Sequence, residues 1–281
     1  MNPRVYFGKQ GRLSEKLPGF EYRDEQMKMA EAVNDAFDRR EPLLVEAGTG
    51  VGKSYAYLVP AVLWAREHDE RVVVSTKTIN LQEQLLKKDI PTLQVLEGLG
   101  FKAVLAKGRS NYICLRKLYG ALERDKQLFG LFRKEDYKFL EQLEKWYLQT
   151  RGEGTRASLT IQIPHRVWEN VCVESLSCRK NRCSYYEKAC PYWRDRREWE
   201  KADIIVTNHS LFFSDLSLRK EGIPFLPAYG AAIFDEAHSL EDIAAENLGA
   251  RISKRQAQRQ LARIYDPESK RGRFRSREYS Q

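Results

Sequence analysis

Between the apolar run Leu43–Glu46 and a helical pattern over Tyr55–His68 lies Ala47-Gly48-Thr49-Gly50-Val51-Gly52-Lys53-Ser54. Its glycines let the backbone curl until successive N–H groups face one anion, and a helix starting beside the lysine adds the positive end of its dipole. Strand, glycine-rich loop, Lys-Ser and helix together form a P-loop, which places the chain among α/β folds with a parallel sheet. Lys53 is positioned to pair with the β- and γ-phosphates of a nucleotide, and Ser54 to ligate Mg²⁺. The usual first glycine is Ala47 here.

The rest of the chain agrees with an α/β reading. Met27, Ala30, Val33 and Phe37 recur at helical spacing, which predicts a helix over Asp24–Arg40 ended by Pro42. Short apolar runs predict strands at Leu43–Glu46, Val72–Ser75, Ala103–Leu105, Ile204–Thr207 and Ala231–Phe234, with helical stretches between them. The last strand runs into Asp235-Glu236-Ala237-His238, so two carboxylates stand at the C-terminal edge where such sheets bind ligands. Asp235 is expected to hold Mg²⁺, Glu236 to orient and polarise water, and His238 to sense the γ-phosphate. After the second strand, Thr76, Thr78, Asn80 and Gln82 form a hydroxyl- and amide-rich stretch suited to phosphate backbones, and Asn208 is similarly placed after the fourth.

The alternation breaks between about Gly108 and Ala202, a stretch too long for a crossover. Phe139, Leu140, Leu143, Trp146 and Tyr147 predict an amphipathic helix inside it, so it reads as an inserted subdomain. It holds all five cysteines, four of them within the 19 residues Cys172–Cys190. An odd count argues against a disulfide framework. Cys178-x4-Cys183-x6-Cys190 lacks the paired knuckles of structural zinc. With Cys114 as fourth thiolate it suits an iron–sulfur cluster, zinc being the alternative. Cys172 is either a buried apolar residue or a replacement ligand for Cys178.

Composition excludes several classes. At 281 residues, 42% hydrophobic and 31% charged, the chain is neither disordered nor fibrous. Its longest apolar stretch, Leu58–Trp64, contains Pro60 and is far too short to span a membrane, and the N-terminus lacks a signal-peptide pattern. The net charge of +9 is concentrated from Arg251 onward, where ten Lys and Arg meet three acids. That tail suits either a nucleic-acid contact or a solvated helix and linker.

The loop and the Asp-Glu-Ala-His motif together resemble those of superfamily 2 helicases. GRSNYIC at Gly108–Cys114, CPYW at Cys190–Trp193 and ADIIVTNHSLFFSD at Ala202–Asp215 resemble the DinG branch of the XPD-like iron–sulfur helicases. PGFEYRDEQMKMAEAV at Pro18–Val33 is similar to that branch's entry into its first motor domain, and the resemblance extends to about Gly249. It implies a RecA-like ATP-binding domain over 1–108 and 203–250, a [4Fe–4S] insertion over 109–202 held by Cys114, Cys178, Cys183 and Cys190, and the start of an arch insertion over 251–281. It also implies an ATP- and Mg²⁺-dependent DNA helicase of bacterial cytoplasm and nucleoid, acting in DNA repair and moving 5′-to-3′. Its partner would be single-stranded DNA, a forked or tailed duplex, or an RNA–DNA hybrid. Arg23 and Gln26 would correspond to adenine-contacting positions. A second motor domain, expected downstream, has no counterpart here, so the chain reads as the N-terminal portion of a helicase. A P-loop ATPase switch and a non-unwinding iron–sulfur DNA-binding module are the competing readings.

Overall fold

A computed structural model describes residues 2–17, 19–96, 98–123, 132–150, 152–175, 177–248, 257 and 261. The basic tail from Arg251, apart from Ala257 and Leu261, lies outside the described residues. In chain order the first unit begins with α1 (Arg4–Phe7), α2 (Arg12–Lys16), α3 (Asp24–Arg39), α4 (Lys53–His68) and β1 (Val72–Thr76). Next come α5 (Ile79–Gln84), a π-helical turn at Leu85–Asp89, α6 (Ile90–Gln94) and β2 (Ala103–Leu105). A second unit, beginning at Ser110, contains α7 (Leu115–Leu122), α8 (Tyr137–Gln149) and α9 (His165–Val171). The first unit resumes at Tyr192 within α10 (Pro191–Trp199), followed by β3 (Ile204–Asn208), α11 (His209–Lys220), β4 (Ala231–Phe234) and α12 (Leu240–Leu248) as far as Ala244. It resumes there because Tyr192 and Trp199 bury their rings against Phe225, with centroids 6.4 and 5.5 Å away.

The sheet is fully parallel in the order β2-β3-β1-β4. β1 and β3 are its centre and β1 is buried throughout, as its unbroken Val72-Val73-Val74 run requires. α4 is apolar on all sides, with every residue from Ala56 to Ala65 buried, so it forms the middle of the core. α3 lies on α4, burying Met27 and Ala30 and stacking Phe37 on Trp64 at 5.4 Å. This packing brings the start of α3 to the loop that precedes α4.

One expected strand is absent. Leu43–Glu46 forms no ladder, and its side chains face outward, Leu44 being 89% exposed. β4 pairs with β1 alone, so among the described residues the sheet ends at β4. An apolar run becomes a strand only where a neighbour takes up its N–H and C=O groups, and this run has none.

The second unit has its own core, made by Ile113, Leu118, Leu140, Leu143, Trp146, Trp168 and Val171. Each indole N–H in it is satisfied, Trp146 by the Ser158 carbonyl at 3.0 Å and Trp168 by the Ser110 carbonyl at 2.8 Å. No described helix is long and apolar enough to cross a membrane.

Candidate functional site

The phosphate loop is shaped by two left-handed glycines, Gly50 at φ 83° and Gly52 at φ 84°. At Gly52 the positive φ disfavours a side chain, and a Cβ there would also displace the Gln26 amide. That amide donates to the Gly52 carbonyl at 2.9 Å, and the Arg23 guanidinium donates to the Gly50 carbonyl. Arg23 and Gln26, both on the α3 side, thus brace the loop backbone. α4 starts at Lys53, whose Nζ reaches the Ala47 carbonyl across the loop at 3.3 Å. Ala47 through Ser54 therefore form one continuous turn into a helix N-terminus, the arrangement that binds phosphate.

The second half of the site comes from β4. The Asp235 N–H extends the ladder by donating to the Ser75 carbonyl at 2.9 Å. Its carboxylate accepts from the Tyr57 hydroxyl at 3.2 Å, and Ser54 lies near enough to that hydroxyl to favour its ionised form. Burial, reinforced by the Asp235 charge, pushes the Tyr57 phenol well above its ordinary pKa, so it stays a donor. Ser54 and Asp235, distant in sequence, therefore stand at one phenol. A hydroxyl and a single carboxylate fit Mg²⁺, which keeps several waters and takes few protein oxygens.

Glu236 has a left-handed backbone at φ 59°, a conformation costing about 1–2 kcal/mol for a residue with a Cβ. The turn is held by the Ser239 hydroxyl and N–H, which donate to the Glu236 carbonyl at 3.0 and 3.2 Å. The turn carries the half-exposed carboxylate off the strand line, and His238 Nδ1 lies 3.4 Å from it.

Behind this edge, His209 is fully buried with Nδ1 2.7 Å from the Ser75 hydroxyl. Burial lowers its pKa, with the Asp235 backbone and carboxylate opposing. Asp89 is a buried acid that the motifs do not single out. It is 4% exposed and closes the π-helical turn. Its trace in the sequence is the spacing Leu85, Asp89, Leu93, which puts an acid in an otherwise apolar stripe.

The expected strand-contacting residues separate. Thr76 is fully buried and Gln82 is 5% exposed, so neither offers its side chain to a ligand. They alternate inward because β1 is central and α5 packs on the sheet. Asn80 is exposed. Thr78 and Asn208 cap helices, accepting from Leu81 N at 3.2 Å and Leu211 N at 2.8 Å. Thr76 and Asn208 are register partners, so the two caps follow neighbouring strand ends.

In the second unit Cys114 precedes α7, its N–H bonded to the Val171 carbonyl at 2.7 Å. Cys178, Cys183 and Cys190 come later on irregular backbone, each partly exposed. Cys114 and Cys183 lie within electrostatic range of each other. Cys172 is buried, its thiol directed to the Glu169 carbonyl at 3.4 Å. Among the described residues no three His, Cys, Asp or Glu stand close enough to hold a metal ion. The donor chemistry suits an iron–sulfur cluster, but the four thiols are not gathered around one centre. Tyr112 is a core residue and Tyr185 stacks on Tyr119 at 5.8 Å.

A parallel sheet, a P-loop and an acid pair at the adjoining strand end define a P-loop nucleotide-binding domain. The DEAD_2 family model matches residues 165–257. The chain is similar to DinG and YoaA proteins. It is 35% identical over 251 residues to "ATP-dependent DNA helicase YoaA" of Escherichia coli, covering 89% of this chain and 38% of that protein. It is 35% identical over 263 residues to "3'-5' exonuclease DinG" of Bacillus subtilis, covering 92% and 26%. It is 36% identical over 262 residues to "ATP-dependent helicase DinG" of Mycobacterium tuberculosis, covering 86% and 38%. The chain thus spans roughly a quarter to two fifths of the length of the curated relatives it matches. A solved structure described as an XPD helicase aligns at 18% identity with a TM-score of 0.44, over 79% of this chain and 34% of that one.

Proposed function

We propose that this chain is the ATP-binding portion of a DinG-like DNA helicase, which hydrolyses ATP while gripping single-stranded DNA. The observation that carries this reading is the meeting of Ser54 and Asp235 at the Tyr57 hydroxyl, beside the Lys53 loop. The N–H groups of Gly48–Lys53 cradle the phosphates, and Lys53 exchanges its Ala47 contact for the β- and γ-phosphate oxygens. Ser54 and Asp235 are the residues that would hold Mg²⁺, which when bound neutralises charge on those oxygens. Glu236 orients a water in line with the γ-phosphorus. The water's oxygen forms the new P–O bond as the bond to the ADP oxygen breaks, and its proton leaves toward the carboxylate. His238 steadies Glu236 from 3.4 Å.

The strand is taken at the ends of β1 and β3, through Asn80 and the capped starts of α5 and α11. Movement is 5′-to-3′ on a tailed or forked duplex, as in the resembled branch. In the second unit Cys114, Cys178, Cys183 and Cys190 are the thiolates that would hold a [4Fe–4S] cluster, once drawn closer together than they stand here. The thiolate donor set and the proximity of Cys114 to Cys183 support that part.

Calorimetric titration with Mg²⁺ and a slowly hydrolysed ATP analogue tests the nucleotide site. Lys53→Ala should abolish binding, and unchanged affinity would overturn the reading. Phosphate release that rises with added oligo(dT) separates a strand-coupled motor from a P-loop switch indifferent to DNA.

A further inference from the structure

His209 opens α11, and its imidazole is wholly removed from water. Nδ1 lies 2.7 Å from the Ser75 hydroxyl, which is itself fully buried on β1. Nε2 has no partner in hydrogen-bonding geometry among the described residues. Counting protons fixes the tautomer. The hydroxyl and the neutral ring bring one proton each, and one hydrogen bond joins them. With the Ser75 proton directed at Nδ1, the ring proton sits on Nε2 and a single donor is stranded. With the ring proton on Nδ1, the Ser75 proton and the Nε2 lone pair are both stranded. Ser75 therefore donates and Nδ1 accepts. A leucine or phenylalanine would fill this space without leaving a costly unpaired donor, so the imidazole serves through its Nδ1 acceptor.

Two paths lead from this ring to the acid pair. Along the first, Ser75 gives its hydroxyl proton to Nδ1 while its carbonyl accepts from the Asp235 N–H at 2.9 Å. The second is aromatic. Phe234, the residue before Asp235, is enclosed by the first turn of α11, with the rings of His209, Phe212 and Phe213 centred 6.1, 4.8 and 6.3 Å away. Side chains alternate across a strand. Val72, Val74 and Ile233 turn into the core that contains α4, so Ser75 and Phe234 face the other side of the sheet. Asp235 turns back to the α4 side, where the Tyr57 hydroxyl reaches its carboxylate at 3.2 Å. The strand end that carries both acids is thus held by α4 on one face and by α11 on the other.

We propose that His209 is a positioning residue for the acid pair: by accepting from Ser75 and packing on Phe234 it fixes the end of β4, so that Asp235 is held ready for Mg²⁺. This rests on the nucleotide and Mg²⁺ assignments proposed above. His209 touches neither ligand. Its loss therefore acts on the metal-dependent part of nucleotide binding and spares the metal-free part, which the phosphate loop supplies. Outer partners of this kind set the orientation of a coordinating group.

The experiment uses the 281-residue chain and a fluorescent, slowly hydrolysed ATP analogue, titrated over a series of Mg²⁺ concentrations and again in EDTA. His209→Leu and Ser75→Ala should each raise the half-saturating Mg²⁺ concentration about tenfold, with the affinity in EDTA unchanged. The double variant should be no worse than the weaker single one, because both substitutions cut the same bond. His209→Asn puts an amide oxygen in place of Nδ1, so it should need less Mg²⁺ than His209→Leu. Packing alone predicts the opposite order, since a buried amide is the poorer filler. Ser75→Ala removes one oxygen from the strand and keeps the test decisive if His209→Leu does not fold. An unchanged Mg²⁺ requirement in Ser75→Ala, or a higher one in His209→Asn than in His209→Leu, overturns the inference. An unaltered chain whose affinity ignores Mg²⁺ overturns the metal assignment and this inference with it. Unchanged affinity in Lys53→Ala would instead show that the nucleotide assignment has failed.

Discussion

The Tyr57 hydroxyl donates to Asp235 Oδ2 at 3.2 Å across 178 positions of sequence, and Ser54 lies near it within the same helix turn. One phenol from the buried helix therefore sets the separation of the phosphate loop and the acid pair. Its burial keeps it protonated, so it acts as a fixed donor and not as a titrating group.

Tyr57→Phe preserves the ring's packing and removes the donor. A hydrogen bond to a charged group contributes about 1.5–3 kcal/mol, and the variant should lose stability of that order in urea unfolding. Its Mg²⁺ requirement for nucleotide binding should shift to higher concentration. A variant with unchanged stability and Mg²⁺ dependence would show that the phenol is only packing.

Gly52→Ala should abolish nucleotide binding and destabilise the unit by more than about 1 kcal/mol, because its φ of 84° disfavours any Cβ, which would also displace the Gln26 amide. Gln26→Ala alone should cost about 1 kcal/mol through the lost bond to the loop. The double variant should recover only the clash, so nucleotide affinity close to that of the unaltered chain would contradict the backbone argument.

Glu236 carries two separable properties. Glu236→Gln should keep nucleotide affinity and lose phosphate release. Glu236→Gly should lose phosphate release too, while relieving a left-handed backbone that costs about 1–2 kcal/mol. Its thermal midpoint should therefore not fall, and a clear drop would mean that the turn is stabilised by the side chain.

Glu198 lies beside Lys102 and Lys201, whose hydrogen bonds hold its carboxyl at about 2. The folded pKa is below the unfolded value of about 4.5, so the unfolded chain binds more protons between these limits. The contribution is present above about pH 4.5 and is lost as pH falls toward about 2. Exposure and salt limit it to a few tenths of a kcal/mol. The carboxyl resonance of Glu198 should titrate near pH 2 at low salt and move upward in about 1 M salt; a midpoint near 4.5 at low salt would sink the assignment.

Anaerobically purified chain should carry about four irons. Serine at Cys114, Cys178, Cys183 or Cys190 should remove them, whereas Cys172→Ser should retain them because that thiol is buried against the Glu169 carbonyl. Stoichiometric zinc without iron, or iron that survives Cys178→Ser but not Cys172→Ser, would reverse the ligand choice.

Much of this protein is legible along the chain because its chemistry is local. Gly50 and Gly52 announce positive φ, Lys53 announces the helix start, and Val72–Val74 and Ile204–Val206 announce buried parallel strands. The spacing of Leu140, Leu143, Trp146 and Tyr147 likewise forecasts the buried face of α8. Features that depend on distant partners are not legible in this way. Leu43–Glu46 has strand composition but no neighbour to bond, so it forms no ladder and stays exposed. Thr76 and Gln82 look like phosphate contacts in sequence, and only packing shows that they face inward. Arg23 and Gln26 read as nucleotide residues, yet their contacts with Gly50 and Gly52 depend on α3 lying across α4. Asp89 leaves only the Leu85, Asp89, Leu93 spacing as a trace in sequence, because an acid in a helix is ordinarily solvated. Only the folded chain buries it at 4% exposure beside the Gln84 amide, where a carboxylate must find partners or not form at all.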